Sequence, residues 1–195
     1  MREEIYYKLA DAPPATLAEV AGVEDEAFAF LAPEQSVADY IANLAGAGLY
    51  SAAIAVLAHA LPKREAVWWG CVALRHAEAP QPGSPSDAAL AAAEAWVYTP
   101  DEQHRRPTQA AAAGVGLDTP AGWAAMAAFF SGGSVAPPDS AVVPPRDDLT
   151  GRAVAGAITL AASHPNAGRS TDLFEIFIGM AFEIARGGDG RHVAA

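Results

Sequence analysis

At four places along the chain a serine or threonine oxygen stands where a helix would begin: Ser36 ahead of Asp39, Ser84-Pro85 ahead of Asp87, Thr99-Pro100 ahead of Glu102, and Thr119-Pro120. Such an oxygen accepts a hydrogen bond from one of the first backbone N–H groups, which a helix cannot satisfy internally, and proline in the first turn has no N–H to leave orphaned. Signals at this spacing demand short helices throughout. They predict helices over about 36–47, 50–60, 63–78, 86–98, 100–105, 108–114, 120–131, 148–163 and 171–186, and no segment alternates apolar with polar residues as a half-buried strand does. The expected class is all-α with no sheet. Short connectors make successive helices antiparallel neighbours, so the expected architecture is a stack of antiparallel helical hairpins, as an irregular bundle or a HEAT-like solenoid.

Composition sets how closely such helices can approach. Of 195 residues 48 are alanine, so the 52% hydrophobic fraction overstates the bulk available for a core, and with 8% aromatics the large anchors are few. Proline, glycine and serine mark two connectors, residues 79–85 and 131–145, as extended rather than helical. The expected organisation is an acidic N-terminal arm over 1–35, a core helical domain over 36–130, a Pro/Gly-rich linker over 131–147, a C-terminal helix pair over 148–186 packing on the core, and a tail over 187–195. The arm holds most of the charge: residues 1–39 contain nine acids and two bases, and read as a solvated segment that Pro13-Pro14 and Pro33 break into short pieces, with brief helices over 16–21 and 25–31, the alternative being an arm that docks on a basic partner.

A net charge of −11 leaves too few clustered cations to displace the counterions of a nucleic acid, so no nucleic-acid partner is expected. The start Met1-Arg2-Glu3-Glu4 lacks the basic-then-apolar pattern of a secretory signal, which points to the cytoplasm. Residues 41–62 carry no formal charge and are long enough to span a bilayer. Asn43, Gly46, Gly48, Ser51 and His59 interrupt them, however, and two packed helices with a turn at Gly46 and Gly48 are expected in place of membrane insertion.

The most distinctive string is Leu61-Pro62-Lys63-Arg64-Glu65-Ala66-Val67-Trp68-Trp69-Gly70-Cys71. Successive helical positions differ by about 100°, so Trp68 and Trp69 cannot face one direction: one anchors the core and the other seals a neighbouring helix. Arg64 lies four residues before Trp68, where its guanidinium can cover the indole, and Arg75 continues that face. Glu65 suits the positive end of the helix and is within reach of an arginine. Glu94, Trp96 and Tyr98 end an alanine-rich helix whose small face can receive the tryptophans, with Glu94 and Tyr98 on one side. Arg64, Glu65, Trp68, Trp69, Arg75, Glu94, Trp96 and Tyr98 therefore form the expected binding or structural hub. Asp101-Glu102-Gln103-His104-Arg105-Arg106 places Asp101 four before Arg105 and Glu102 four before Arg106, the pattern of a surface ion-paired turn, with Pro107 ending the helix at Arg106.

No catalytic residues emerge. His59, His76, His104, His164 and His192 show no pair at metal-binding spacing, the single cysteine, Cys71, excludes a thiolate zinc site or disulfide within the chain, and no Gly-x-Ser-x-Gly elbow occurs. Gly114-Val115-Gly116 and Gly132-Gly133 lack the lysine and strand of a phosphate-binding loop. No metal and no cofactor are expected. Over residues 172–186 the polar positions Asp172, Glu175, Glu183 and Arg186 fall in one narrow stripe, so this helix must be buried on several sides, either centrally in its own domain or partly against another chain, for which Phe174, Phe177 and Phe182 are the candidate contacts.

The string from Leu61 to Trp69, preceded by alanine-rich helices and followed by Glu94-Ala95-Trp96-Val97, resembles an uncharacterised family of small helical bacterial proteins with an Arg-Glu-Ala-Val-Trp-Trp motif, found near type VI secretion genes. The resemblance covers roughly residues 35–185. It implies a cytoplasmic accessory or adaptor role around a secretion apparatus. The residues themselves lead to a non-enzymatic helical module that uses Arg64, Trp68, Trp69 and Trp96 as a rigid hub and binds a protein partner through a surface elsewhere, with room for a homo-oligomer; the alternative is a small-ligand-binding or enzymatic domain with a polar pocket around Glu65, Arg75, Glu94 and Tyr98.

Overall fold

Three of the four capping signals begin helices in the computed structural model, which describes residues 5–77, 79–163 and 170–191. Ser36, Ser84 and Thr119 accept from the backbone N–H groups of Asp39, Asp87 and Gly122. The helices are α1 (Pro14–Ala21), α2 (Asp25–Phe28), α3 (Val37–Gly46), α4 (Tyr50–Ala60), α5 (Lys63–Ala77), α6 (Pro85–Tyr98), α7 (Glu102–Val115), α8 (Pro120–Phe129), α9 (Leu149–Ser163) and α10 (Ser170–Ala185). No strand occurs among the described residues, and none of their helices is long and apolar enough to cross a membrane. Residues 41–62 fold as α3 and α4 with the turn at Gly48.

The fourth cap falls elsewhere. Thr99 closes α6, and Asp101 begins α7 by accepting from the His104 N–H at 2.8 Å. The helices expected at 100–105 and 108–114 are one, because Pro107 lies inside α7. A proline there deletes the bond to the Gln103 carbonyl and crowds it. That cost is offset by what the flanking side chains hold: Thr108 Oγ1 donates to the Arg105 carbonyl at 2.7 Å, and both arginines before the proline are anchored to other parts of the chain.

Alanine lets the central helices approach closely. The buried faces of α8 (Ala121, Ala124, Ala125, Ala127, Ala128) and α9 (Ala153, Ala157, Ala161, Ala162) pack together, while Val154 and Ile158 of α9 are also buried. α9 further contacts α4, α5 and α10. Elements so far apart in sequence do not meet in a solenoid, where each repeat touches only its neighbours, so the arrangement is an irregular bundle. The small core is supplemented by a few large side chains, of which Trp69, Tyr40, Phe129 and Phe177 are fully buried.

The two ends of the described chain lie on this body. Residues 5–35 are not a solvated arm: Leu17, Ala18 and Ala27 are buried, α1 packs on α4, Ala10 N–H donates to the Ala60 carbonyl at 2.8 Å and Lys8 N–H to the Ala185 carbonyl at 3.1 Å. α10 packs on α4, α5 and α9. Its phenylalanines turn toward the chain's own residues: Phe177 is fully buried, Phe174 stacks on Tyr50 (centroids 5.4 Å apart, planes 4° from parallel), and Phe182 meets Tyr6 at 5.0 Å.

The segment 131–147 is not helical, as its prolines require: it turns and bends over 131–140, folds back on itself and is tied down. Ser134 Oγ accepts from the N–H groups of Ala136 and Val143, and Val135 N–H donates to the Val143 carbonyl at 2.8 Å. Arg105, only 3% exposed, donates to the carbonyls of Phe129 and Ser134, and Arg106 donates to that of Ala136. Glu102 accepts from both guanidiniums at 2.6–2.7 Å. Of the string read as a surface ion-paired turn, Glu102 stays exposed and pairs with Arg106 as expected, while Arg105 is buried and anchors the segment. Asp101 caps the helix and bonds His104, leaving Glu102 to both arginines, because residues three and four apart share a helix face.

A candidate binding pocket beside Trp68

The 100° step between adjacent helical positions sends the two tryptophans of α5 to different environments. Trp69 enters the core, where its indole N–H donates to the Phe177 carbonyl at 2.7 Å. Trp68 stays half-buried at the edge of the bundle, between the first turns of α5, the last turn of α6 and the residues that follow α10. There it borders a pocket of about 320 Å³ lined by Lys8, Arg64, Glu65, Trp68, Val97, Tyr98, Ile184, Gly188, Asp189 and Arg191.

Each wall has a local cause. The Trp68 indole N–H donates to the Asp189 carbonyl at 2.8 Å, which draws residues 187–191 across the ring as a strap. The strap's own turn is held by Glu183, whose carboxylate accepts from Gly190 N–H. Tyr98 meets Trp68 edge-on, with centroids 5.7 Å apart, planes at 62° and 65% of its surface exposed. Arg191 lies over the indole, its Cζ 4.9 Å from the centroid. Arg64 does not cover the indole as its spacing suggested. The last carbonyls of α6 lack helical partners, and Arg64 Nε donates to one of them, that of Val97, at 2.6 Å. Glu65 pairs with Lys8 at 3.3 Å rather than with an arginine.

The eight expected hub residues therefore divide. Arg64, Glu65, Trp68 and Tyr98 line the pocket. Trp69 and Trp96 are core residues. Arg75 and Glu94 form a separate ion-pair cluster: the guanidinium grips both Glu94 oxygens at 2.6 and 2.9 Å and Asp87 at 3.0 Å. The Gly83 N–H, and then Arg75, hold the Asp87 carboxyl below the usual range, and Glu94 foremost keeps Arg75 protonated. Between these groups and the core, burial pushes the Cys71 thiol up, far from the thiolate form a nucleophile requires. Lys8, Asp189 and Arg191 carried no signal that sequence reasoning weighed, since nothing periodic links them to α5.

Elsewhere, His59 is held between the carbonyls of Ala55 and Asp148, and His76 packs edge-on against Phe177. His164 and His192 lie outside the described residues. Among the described residues no three His, Cys, Asp or Glu side chains are grouped to hold a metal ion. At α7, the hydrogen bonds of Arg105, followed by those of Arg106, bring the Glu102 carboxyl down to about 2.

No curated protein and no solved structure matches the chain. Residues 40–185, the span from α3 to the end of α10 that carries Trp68, Tyr98 and the buried tryptophans, match a family of unknown function, DUF6931, and the chain belongs to that family.

Proposed function

We propose that the chain is a non-enzymatic protein-binding module whose recognition surface is the Trp68 pocket. The observation that carries this reading is the placement of Trp68 and Tyr98. In a chain with 8% aromatics, these two stay at the surface on the rim of one pocket, while Trp69 and Trp96 are buried. Tryptophan, tyrosine and arginine in a partly desolvated pocket make the side-chain set that concentrates binding energy at protein interfaces. Residues 187–191 reinforce the rim, so the aromatic faces are preorganised and a partner orders little on docking. The role that fits, given the resemblance described above, is a cytoplasmic adaptor or accessory of a bacterial secretion system.

The alternative polar pocket uniting Glu65, Arg75, Glu94 and Tyr98 has less support. Arg75 and Glu94 satisfy one another and do not line the cavity bordered by Glu65 and Tyr98. Affinity capture by the full chain, compared with Trp68→Ala of verified helicity, tests the proposal. Loss of a reproducible protein partner with the fold retained is expected; full retention of that partner by the variant overturns the assignment of the pocket.

A further inference from the structure

Resting on the reading of the Trp68 pocket as a partner site, we infer that the group it takes is a carboxylate, presented by a glutamate-rich segment of a protein partner. Lys8, Lys63, Arg75, Arg105, Arg106, Arg146 and Arg152 each pair with a carboxylate of this chain. Arg64 and Arg191 make no ion pair among the described residues, and both line the same pocket. Scarcity of acids is not the reason, because the chain carries eleven more negative than positive charges. Arg64 spends only Nε, on the Val97 carbonyl, leaving the two terminal nitrogens that bind a carboxylate in a fork. Arg191 is held by the Trp68 ring, an arrangement that positions a guanidinium without neutralising it.

The charge of the ligand follows from the lining. Lys8, Arg64 and Arg191 face Glu65 and Asp189, so the pocket carries one net positive charge. A carboxylate balances it, whereas a phosphoryl group with nearly two charges overshoots and meets the two resident carboxylates. Val97, Ile184 and the face of Trp68 supply an apolar wall for the methylenes of a glutamate stem. A volume of about 320 Å³ is at the small end of ligand sites, which suits one side chain of a longer segment. At physiological ionic strength a Debye length of about 8 Å screens the acidic remainder of the molecule from such a segment.

The indole N–H of Trp68 provides a local reporter in the ¹⁵N-labelled full chain, its resonance assigned by Trp68→Phe. Titration with end-blocked hexaglutamate is expected to shift it saturably, hexaglutamine to leave it in place, and Arg64→Gln and Arg191→Gln each to weaken the hexaglutamate interaction at least fivefold. Arg191 lies beyond the last helix, so its variant reads binding even if Arg64→Gln disturbs the bundle. No saturable shift at millimolar hexaglutamate, equal affinity in the arginine variants, or tighter binding of inorganic phosphate overturns the inference. If a captured partner depends on Trp68 but not on Arg64 or Arg191, the binding module stands and the carboxylate assignment fails; if it depends on none of them, both fail.

Discussion

Two pairs of arginines in this chain have opposite fates. Arg105 and Arg106 on α7 place their guanidiniums on Glu102 and on the carbonyls of Phe129, Ser134 and Ala136, and so fasten a non-helical, proline-rich segment to the bundle. Arg64 and Arg191 sit beside an indole at the rim of a pocket and pair with no carboxylate of the described chain. Residue type does not distinguish a structural cation from one available to a ligand. The state of its partners does: Arg105 and Arg106 are each paired with a carboxylate and tied to backbone carbonyls, and so hold the fold, whereas Arg64 and Arg191 have no carboxylate partner among the described residues.

The comparison breaks first at Arg105. Arg105→Ala leaves buried carbonyls at Phe129 and Ser134 without donors, and a loss of about 3 kcal/mol is expected in urea unfolding, together with faster proteolysis within residues 131–147. A loss below about 1 kcal/mol would mean that the segment is held without its arginine. Next is Gly133, whose φ of 63° favours glycine and where a Cβ would fall 2.7 Å from Arg105 Nη2. Gly133→Ala should cost about 2 kcal/mol, read as a lowered Tm, by pushing the guanidinium off its carbonyls.

The third prediction concerns pH. The carboxyl of Glu102 is lowered in the folded chain, to about 2, so its contribution is complete above the unfolded-state range near 4.5 and is lost as pH falls toward 2. Glu102→Gln should therefore be less stable than the parent at pH 7, with the difference shrinking as pH falls from about 4.5 through 2 and gone only below that. Acid-titrated thermal unfolding checks this, and a gap independent of pH would show that the carboxylate's charge is not what matters. The exposure of the Glu102 side chain keeps the effect modest. Smallest of all is Arg191→Gln, which should change stability by no more than about 0.5 kcal/mol, since it removes an exposed contact and no ion pair. A change of 2 kcal/mol or more would place Arg191 among the structural arginines and erase the contrast.

What could be read beforehand was local. Caps at Ser36, Ser84 and Thr119 were legible because each concerns a hydrogen bond across three residues. The divergent facing of Trp68 and Trp69 followed from the 100° helical step alone. Thr99 misled because Asp101, two residues on, is also a capping side chain and took the role. Pro107 misled because the rule that proline ends a helix is a propensity, and the anchoring of Arg105 and Arg106 to a segment some thirty residues away overrides it. The pocket was half visible: Arg64, Glu65, Trp68 and Tyr98 stood out by type and spacing. Lys8, Asp189 and Arg191 did not, because the Trp68–Asp189 bond spans 121 residues and nothing periodic announces it.

The strap across Trp68 has a consequence for diversification. The aromatic wall belongs to the span shared with the family, residues 40–185, whereas Lys8 and the strap residues Gly188, Asp189 and Arg191 fall outside it. On the proposed reading of the pocket as a binding site, substitutions past the final helix would alter the charge at its rim while leaving the contacts of the bundle in place.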